Sequence, residues 1–395
     1  MTTTIIITFC SLMLVAYLFD LTSSKTKIPS AILLLLLGWS LRQFTNFFSI
    51  GLPNLSPALP VLGTVGLILI VLEGSLELEL NRSKLGMIIK SFAGSLFSLL
   101  ISALLLAWLF QHFEGYTFKN SLVNAIPFCI ISSAIAIPSV RNLGSATKEF
   151  VIYESSLSDI IGVLFFNFVA LNNSFGGHSF SVFGFQLLII VVISFVATIS
   201  LSYLLNKIEH HIKFVPIILL VLLIYSFSKI YHLPGLIFIL LFGLFIGNLD
   251  ELKRFKWIEK FKPDELNTEV QKFKELTGEA TFLVRALFFL VFGYLLETAE
   301  ILYPATLVWS IGITVGIFLI RIIQLKVSRL PLNPLLFIAP RGLITILLFL
   351  SIESTQRVSL VNNSMIIQVI IFSALIMMTG LIAAKKPEAV KNHEV

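Results

Sequence analysis

Long apolar runs, separated by short polar segments, recur along almost the whole chain. A helix needs roughly 20 mostly apolar residues to cross the hydrocarbon core of a bilayer, and most of these runs are about that long. The pattern therefore predicts an all-α polytopic membrane protein with about 13 transmembrane helices. The predicted spans cover residues 4–21, 29–45, 58–78, 85–110, 121–143, 149–171, 182–205, 214–231, 233–248, 277–296, 302–325, 331–352 and 363–384.

The composition supports a surface that faces lipid. The 395 residues are 57% hydrophobic and only 13% charged, whereas about a quarter of a soluble domain is charged. The net charge of +6 is spread over short loops, so it indicates no nucleic-acid partner. The two cysteines, Cys10 and Cys129, lie inside apolar runs and form neither a disulfide nor a zinc pattern. We expect no cofactor and, because no nucleophile–base pair or metal cluster occurs in the spans, no enzymatic activity.

The basic residues predict how the chain is oriented. Of the 28 lysines and arginines, 20 fall in loops on one side of the predicted membrane, 4 on the other and 4 within spans. Cytoplasmic loops are enriched in basic residues, so the N-terminus is predicted outside and the C-terminus inside, in a bacterial inner (plasma) membrane. This alternation requires 214–231 and 233–248 to be separate spans, because merging them would reverse the second half of the chain.

One transmembrane domain, residues 1–384, is expected to carry the function. Within it lies a charged cytoplasmic linker, residues 249–276, and after it a short cytoplasmic tail, residues 385–395. The linker alternates lysines with Phe255, Trp257 and Phe261, which favours a solvated segment with an amphipathic helix on the membrane surface. A regulatory docking segment is the alternative.

The fifth and twelfth spans are interrupted by residues that disfavour helix. Proline removes a backbone donor, and unwound backbone at membrane depth is tolerated only where it is buried or lines a wet cavity. Spans seven apart cross the membrane in opposite senses, so the pattern predicts two inverted repeats with crossed discontinuous helices. Two ordinary proline kinks are the alternative. The interrupting residues are Ser132, Ser133 and Pro138 in the fifth span and Pro340, Arg341 and Gly342 in the twelfth.

Asp159 is the strongest candidate for a functional group inside the membrane. It lies ten residues into the sixth span, roughly 15 Å deep and near the bilayer midplane. Glu154, Ser155, Ser158 and Asp159 are linked to one another by spacings of three and four residues (155/158, 154/158 and 155/159), which predicts oxygen ligands along one helical side. Hard cations prefer oxygen. A carboxyl group in low dielectric can hold either a proton or a cation, and competition between the two is antiport in its simplest form.

Other charged residues in the spans need partners. Glu73 and Arg285 lie in the third and tenth spans, seven apart, and could form an ion pair. Arg321, near the inner end of the eleventh span, could pair with Glu154 or only extend to the interface. Arg341 lies in the break of the twelfth span, where a fixed cation would offset exposed carbonyls.

Taken together, several stretches resemble the monovalent cation:proton antiporter superfamily, in its sodium/proton exchanger branch. YESSLSDIIGVLFFN, residues 153–167, resembles the Glu-Ser-Leu-Leu-Asn-Asp signature of that family. LGTVGLILIVLEGSLELEL from position 62, FLVRALFFLVFG from 282 and IAPRGLITILLF from 338 resemble its third, tenth and twelfth helices. The resemblance implies that Asp159 carries the cation and the proton, that Glu154 is a structural acid paired with Arg321, and that Ser155 is an accessory ligand. It also implies a homodimer in which the fourth to sixth and eleventh to thirteenth spans move.

The sequence departs from the family pattern at two places. Ser158 replaces the asparagine of electroneutral members and the second aspartate of electrogenic ones. Ser132, Ser133 and Ala134 replace a Thr-Asp-Pro segment, and we count both serines among the candidate ligands. The resulting prediction is near-electroneutral exchange of a monovalent cation for protons by alternating access, with sodium as the first candidate and potassium or lithium as alternatives. The competing hypothesis is a carrier of a small organic anion, which would bind at half-helix N-termini and leave Asp159 dispensable.

Overall fold

The computed structural model describes residues 2–51, 54–172, 176–207, 214–249 and 263–384, and regular secondary structure within these ranges is entirely helical. The predicted tail and the aromatic residues of the predicted linker lie outside the described residues. The helices are α1 Thr2–Thr26, α2 Ser30–Phe47, α3 Ala58–Glu77, α4 Leu85–Glu114, α5 Phe118–Cys129, α6 Ser133–Ser139, α7 Ser145–Leu171, α8 Gly177–Lys207, α9 Phe214–Ile230, α10 Leu236–Gly247, α11 Pro263–Leu295, α12 Thr298–Ile301, α13 Pro304–Val327, α14 Leu343–Ser351 and α15 Asn363–Ala383.

The helices account for all of the predicted spans. Among the described residues, nine helical segments are long and apolar enough to cross a membrane, one of them formed by α5 and α6 together. The remaining four predicted spans correspond to α2, to the shorter apolar helices α9 and α10, and to the segment that contains α14. The chain is therefore an all-α polytopic membrane protein, and 13 spans are consistent with its structure.

The polar sequence before the tenth span is partly helical. The predicted linker extends to residue 276, but α11 already begins at Pro263 and continues without a break to Leu295. Its first turns bury Val270 and Phe273, and the Phe273 ring lies 6.1 Å from that of Phe214 on α9. Because these apolar residues give the polar half one buried face, α11 continues past the membrane-spanning part as an amphipathic helix.

Contacts between helices divide the molecule into two bundles. The helices α4–α7 and α13–α15 pack with one another and are here called the crossing bundle. The helices α1–α3 and α8–α11 form the flanking bundle. Contacts of α3 with α6, α7 and α14, and of α1 with α6, join the two. The crossing bundle contains the spans that the family resemblance implied would move, so these spans form one packed unit.

Two helices of the crossing bundle are interrupted, and the interruptions meet. The first is the non-helical segment 130–132 between α5 and α6, and the second is 338–342 before α14. The Ser132 backbone N–H donates to the Pro340 carbonyl at 2.9 Å, which joins the two breaks. A Cβ on Gly342 would lie 2.6 Å from the Ile135 Cδ1 atom and 3.0 Å from Ser132 Oγ, so a larger residue there would force these side chains to move.

Two expectations about these breaks were wrong in detail. Pro138 does not interrupt its span but lies inside α6, and the break precedes it. Proline at 138 leaves the Ala134 carbonyl without its helical donor, and Arg285 Nη1 donates to that oxygen at 3.5 Å; α6 ends one residue after the proline, at Ser139. The first half of the twelfth span, residues 331–342, consists of turns and extended backbone because its three prolines remove donors needed for a helix.

Candidate functional site

Asp159 lies near the middle of α7, and its side chain is almost completely buried, with 1% exposed. The Ser133 hydroxyl donates a hydrogen bond to Asp159 Oδ2, and the Ser133 backbone N–H donates to the same oxygen at 3.3 Å. Among the described residues nothing donates to the other oxygen, Oδ1. One carboxylate oxygen is thus held by the start of α6, and the other is available to a proton or a cation.

Ser132 adds a second polar atom without a partner. Its hydroxyl is buried and makes no hydrogen bond within the part of the chain that the structure describes. It lies at the junction of the two breaks, beside Gly342. A buried hydroxyl without a partner is costly unless something else satisfies it. Ser132 Oγ is therefore a candidate oxygen ligand, as the sequence predicted.

Ser155 and Ser158, also on α7, are both engaged. Ser158 Oγ accepts the Ile131 backbone N–H at 3.0 Å, so its hydroxyl satisfies a donor that the break in α5–α6 leaves free. Ser155 donates its proton to the Val151 carbonyl at 2.7 Å, one turn earlier on its own helix. A hydroxyl that donates still has lone pairs, so Ser155 can ligate a cation, whereas Ser158 primarily holds the break.

Glu154 belongs to a different cluster from Asp159. The Arg321 guanidinium on α13 donates to Glu154 Oε1 at 2.9 Å and to Oε2 at 2.8 Å, and Gln324 Nε2 donates to Oε1 at 2.7 Å. Glu154 and Arg321 are each 1% exposed. Five residues along a helix correspond to about 140° around its axis, which explains why Glu154 faces α13 while Asp159 faces α6. Both Glu154 oxygens are occupied, so the structure does not bring this carboxylate to Asp159 as a ligand.

Arg341 is fully enclosed where the two interrupted helices cross. It donates to the Phe128 carbonyl at the end of α5 and, at 2.7 Å, to the Ala339 carbonyl. Its backbone N–H donates a hydrogen bond to Ser373 Oγ on α15 at 3.0 Å. The guanidinium thus satisfies carbonyls from both breaks, which is the role that its place in the sequence suggested.

The predicted Glu73–Arg285 ion pair is absent, and Arg285 has a different partner. Arg285 Nη2 lies 3.4 Å from Asp20 Oδ1 on α1. Glu73 lines the same small cavity as Arg285 without forming an ion pair with it. The helices that carry Glu73 and Arg285, α3 and α11, do pack against each other. The side chain of Arg285, however, is directed toward α1 and α6.

Two cavities approach Asp159 from opposite sides of the membrane. The larger, about 430 Å³, opens at the ends of α7 and α9 that are predicted to face outward, and it reaches Val163, one turn or about 6 Å along α7 from Asp159. The smaller, about 20 Å³, lies between α3, α6 and α11 and includes Ser133. Asp159 lines neither cavity, so in this conformation its carboxyl group is closed off from both.

Sequence reasoning missed two polar residues of these clusters. Gln324 follows Arg321 by three residues and therefore shares its helical face, a signal that was available in the sequence. Asp20 lies at the inner end of the first span, and its place in the sequence predicted no role for it. Its charged partners are Arg285 on α11 and Arg141 in the loop after α6, and Ser30 on α2 also donates to it; no spacing along the chain reveals the two arginines.

Comparisons with known proteins are consistent with this architecture. A protein-family profile described as "Sodium/hydrogen exchanger, transmembrane" matches residues 10–384. A structure of the sodium proton antiporter MjNhaP1 from Methanocaldococcus jannaschii at pH 8 superimposes with a TM-score of 0.65 at 18% identity, covering 97% of this chain and 96% of that one. An electron-microscopy structure of the same antiporter gives a TM-score of 0.64 at 16% identity, with coverages of 97% and 95%. No curated protein matched this sequence.

Proposed function

The chain belongs to the sodium/hydrogen exchanger family, and we propose that it exchanges a monovalent cation for protons by alternating access, with Asp159 holding each ion in turn. The fold and the family are those of a transporter. The observation that carries the proposal is the Asp159 carboxylate, buried beside two broken helices with Oδ2 held by Ser133 and Oδ1 without a donor. A buried carboxyl group with one open oxygen gains stability from either a proton or a cation.

The proposed ligands are all oxygen atoms. Asp159 Oδ1, Ser132 Oγ and Ser155 Oγ would supply the first ligands of a hard monovalent cation. When a proton occupies Asp159, its negative charge is lost and the cation is released. Competition at one carboxyl group couples the two fluxes without any further chemistry.

We propose sodium as the cation, with potassium and lithium as alternatives, and near-electroneutral exchange. Among the residues that the structure describes, Asp159 is the one carboxylate that contacts a break, because Ser158 replaces a possible second acid and Glu154 is bound to Arg321. One carboxylate that binds either one proton or one monovalent cation leaves the same net charge in both loaded states. This argument supports a ratio of one proton per cation.

The test is proton flux in proteoliposomes under sodium, lithium and potassium gradients. Asp159→Asn keeps the size of the side chain and an amide oxygen that can still accept from Ser133 but removes the charge, so exchange with every cation should be lost while the protein still folds. Glu279→Gln makes the same chemical change at an exposed position of α11 and should exchange normally. Retained exchange in folded Asp159→Asn protein would refute the assignment, and so would loss of exchange in the control.

Stoichiometry can be tested separately. Ser158→Asp places a second carboxylate next to Asp159, and we expect transport that now responds to an imposed membrane potential. The original protein should be nearly indifferent to that potential. Equal responses of both proteins would argue against the single-carboxylate account.

The assembly and the orientation of the chain are also proposals. We propose a homodimer in the bacterial inner membrane with its N-terminus outside. The helices α1 and α8 expose most of their apolar side chains, which offers surface to lipid or to a second copy. Cross-linking of single cysteines on these helices in native membranes, and protease access to the two termini, are the measurements that test these two points.

A further inference from the structure

The two routes to Asp159 differ strongly in size. The cavity on the predicted outer side has a volume of about 430 Å³, enough for many water molecules. The cavity on the predicted cytoplasmic side has about 20 Å³, which is room for about one water molecule. The structure therefore represents a conformation in which the cytoplasmic route is the more tightly closed.

A charge cluster lies across that closed route. The Asp20 carboxylate on α1 is 3.4 Å from Arg285 on α11 and 3.2 Å from Arg141, which follows α6. Ser30, at the start of α2, donates to the same carboxylate at 3.2 Å. Asp20, Ser30 and Arg285 belong to the flanking bundle, whereas Arg141 belongs to the crossing bundle, so this cluster ties the two bundles together.

Arg285 makes a second link between the bundles. Its Nη1 lies 3.5 Å from the Ala134 carbonyl, the oxygen that Pro138 deprives of its helical donor. Ala134 follows Ser133, the residue that holds Asp159, and Arg285, Ala134 and Ser133 all line the small cavity. The Arg285 side chain thus occupies the cytoplasmic approach to Asp159 and is anchored on α6, in a cavity that Glu73, Glu77 and Arg141 also line.

We propose that Arg285 is the gate residue of the cytoplasmic route, with Asp20 as the counter-charge that keeps it closed. This inference rests on the proposed exchange function. When the cluster is formed, the Arg285 side chain occupies the approach and its bonds hold α6 against α11. Opening to the cytoplasm requires Arg285 to leave the Ala134 carbonyl and Asp20 to release Arg141, so that the crossing bundle can move away. Arg285 acts here as a positioning residue and not as a ligand.

The experiment measures access from each side with membrane-impermeant thiol reagents. In a background in which Cys10 and Cys129 are replaced with alanine, Ile137→Cys reports on the small cavity and Asn167→Cys on the large one. Labelling is followed in inverted and right-side-out vesicles without an ion gradient. This readout does not depend on transport, so it separates failure of the gate from failure of the proposed function.

Asp20→Asn should speed labelling at Ile137→Cys from the cytoplasmic side about two- to fivefold, as expected for losing one or two partly exposed ion pairs. Labelling at Asn167→Cys from the other side should slow, because the two routes open alternately. Arg285→Lys keeps the charge but cannot reach both partners at once, and it should give an intermediate rate. Glu297→Gln makes the same charge change at an ion pair on the predicted outer side and should change neither rate.

Two results would overturn the gate. The first is a labelling rate at Ile137→Cys in Asp20→Asn that equals that of the Glu297→Gln control. The second is faster labelling at both reporter positions, because a generally loosened structure would produce that pattern and a gate would not. Thermal unfolding of each variant, measured in parallel, identifies any that do not fold, and Arg285→Lys keeps the test decisive if Asp20→Asn is among them.

Discussion

Replacing Arg321 with leucine tests whether the buried Glu154 cluster holds the crossing bundle together. Arg321 donates twice to Glu154 and once to the Leu335 carbonyl, at 2.9 Å. After the substitution, the Glu154 carboxylate is still buried and keeps Gln324 as its side-chain donor. Removing one partner of a buried pair leaves an uncompensated charge, so we expect a loss of about 3–5 kcal/mol in the free energy of unfolding.

A double-mutant cycle with Glu154→Leu separates the pair from its surroundings. When both partners are replaced by apolar side chains, no buried charge remains, and the double variant should be more stable than Arg321→Leu alone. The assay is thermal and denaturant unfolding of purified protein in detergent. Lys272→Gln removes one side of an exposed pair within α11 and, as the control, should cost about 1 kcal/mol or less.

The reasoning would be refuted if Arg321→Leu cost no more than the control. Additive effects in the cycle would refute it as well, since coupling is what a direct buried pair predicts. Transport per folded molecule adds a second reading, because a purely structural pair should leave the cation preference of the remaining folded protein unchanged.

Three smaller predictions follow from single contacts. Gly342→Ala should lower the free energy of unfolding by about 1–3 kcal/mol, because the added Cβ would lie 2.6 Å from a side-chain carbon of α6. The control is Gly312→Ala, whose Cβ meets open space and should leave stability unchanged; thermal unfolding measures both variants. Ser133→Ala should raise the apparent KM for the cation about tenfold, because the ionised form of Asp159 loses a hydrogen-bond donor. A KM equal to that of the original protein would contradict this. Gln324→Leu should cost about 1–3 kcal/mol by leaving Glu154 one donor short, and unchanged unfolding would show that Arg321 alone suffices.

Much of the fold follows from local sequence. The apolar runs predict the spans because a helix that crosses a membrane must be apolar over a set length, whatever its neighbours are. The separation of α9 from α10 was predicted from the alternation of loop charges, and the structure confirms two helices. Asp159 stands out in the sequence for the same kind of reason, since a carboxylate at that depth is costly unless it has a role.

Tertiary structure decided which polar groups meet. The pairing of Arg285 with Asp20 rather than Glu73 depends on side-chain direction and on how α1, α6 and α11 pack, and none of these is a property of spacing along the chain. The same holds for the Ala134 carbonyl, which Pro138 deprives of its helical donor and which Arg285 reaches from another helix.

The sequence by itself thus predicted the membrane spans, which of them are interrupted and which acid is buried near the interruptions, because length, hydropathy and proline chemistry act locally. Only the tertiary structure decided that Ser158 holds the break, that Glu154 pairs with Arg321, and that Arg285 meets Asp20 and the Ala134 carbonyl. Those assignments depend on distances of about 3 Å between residues that are far apart in the chain, and such distances exist only once the helices have packed.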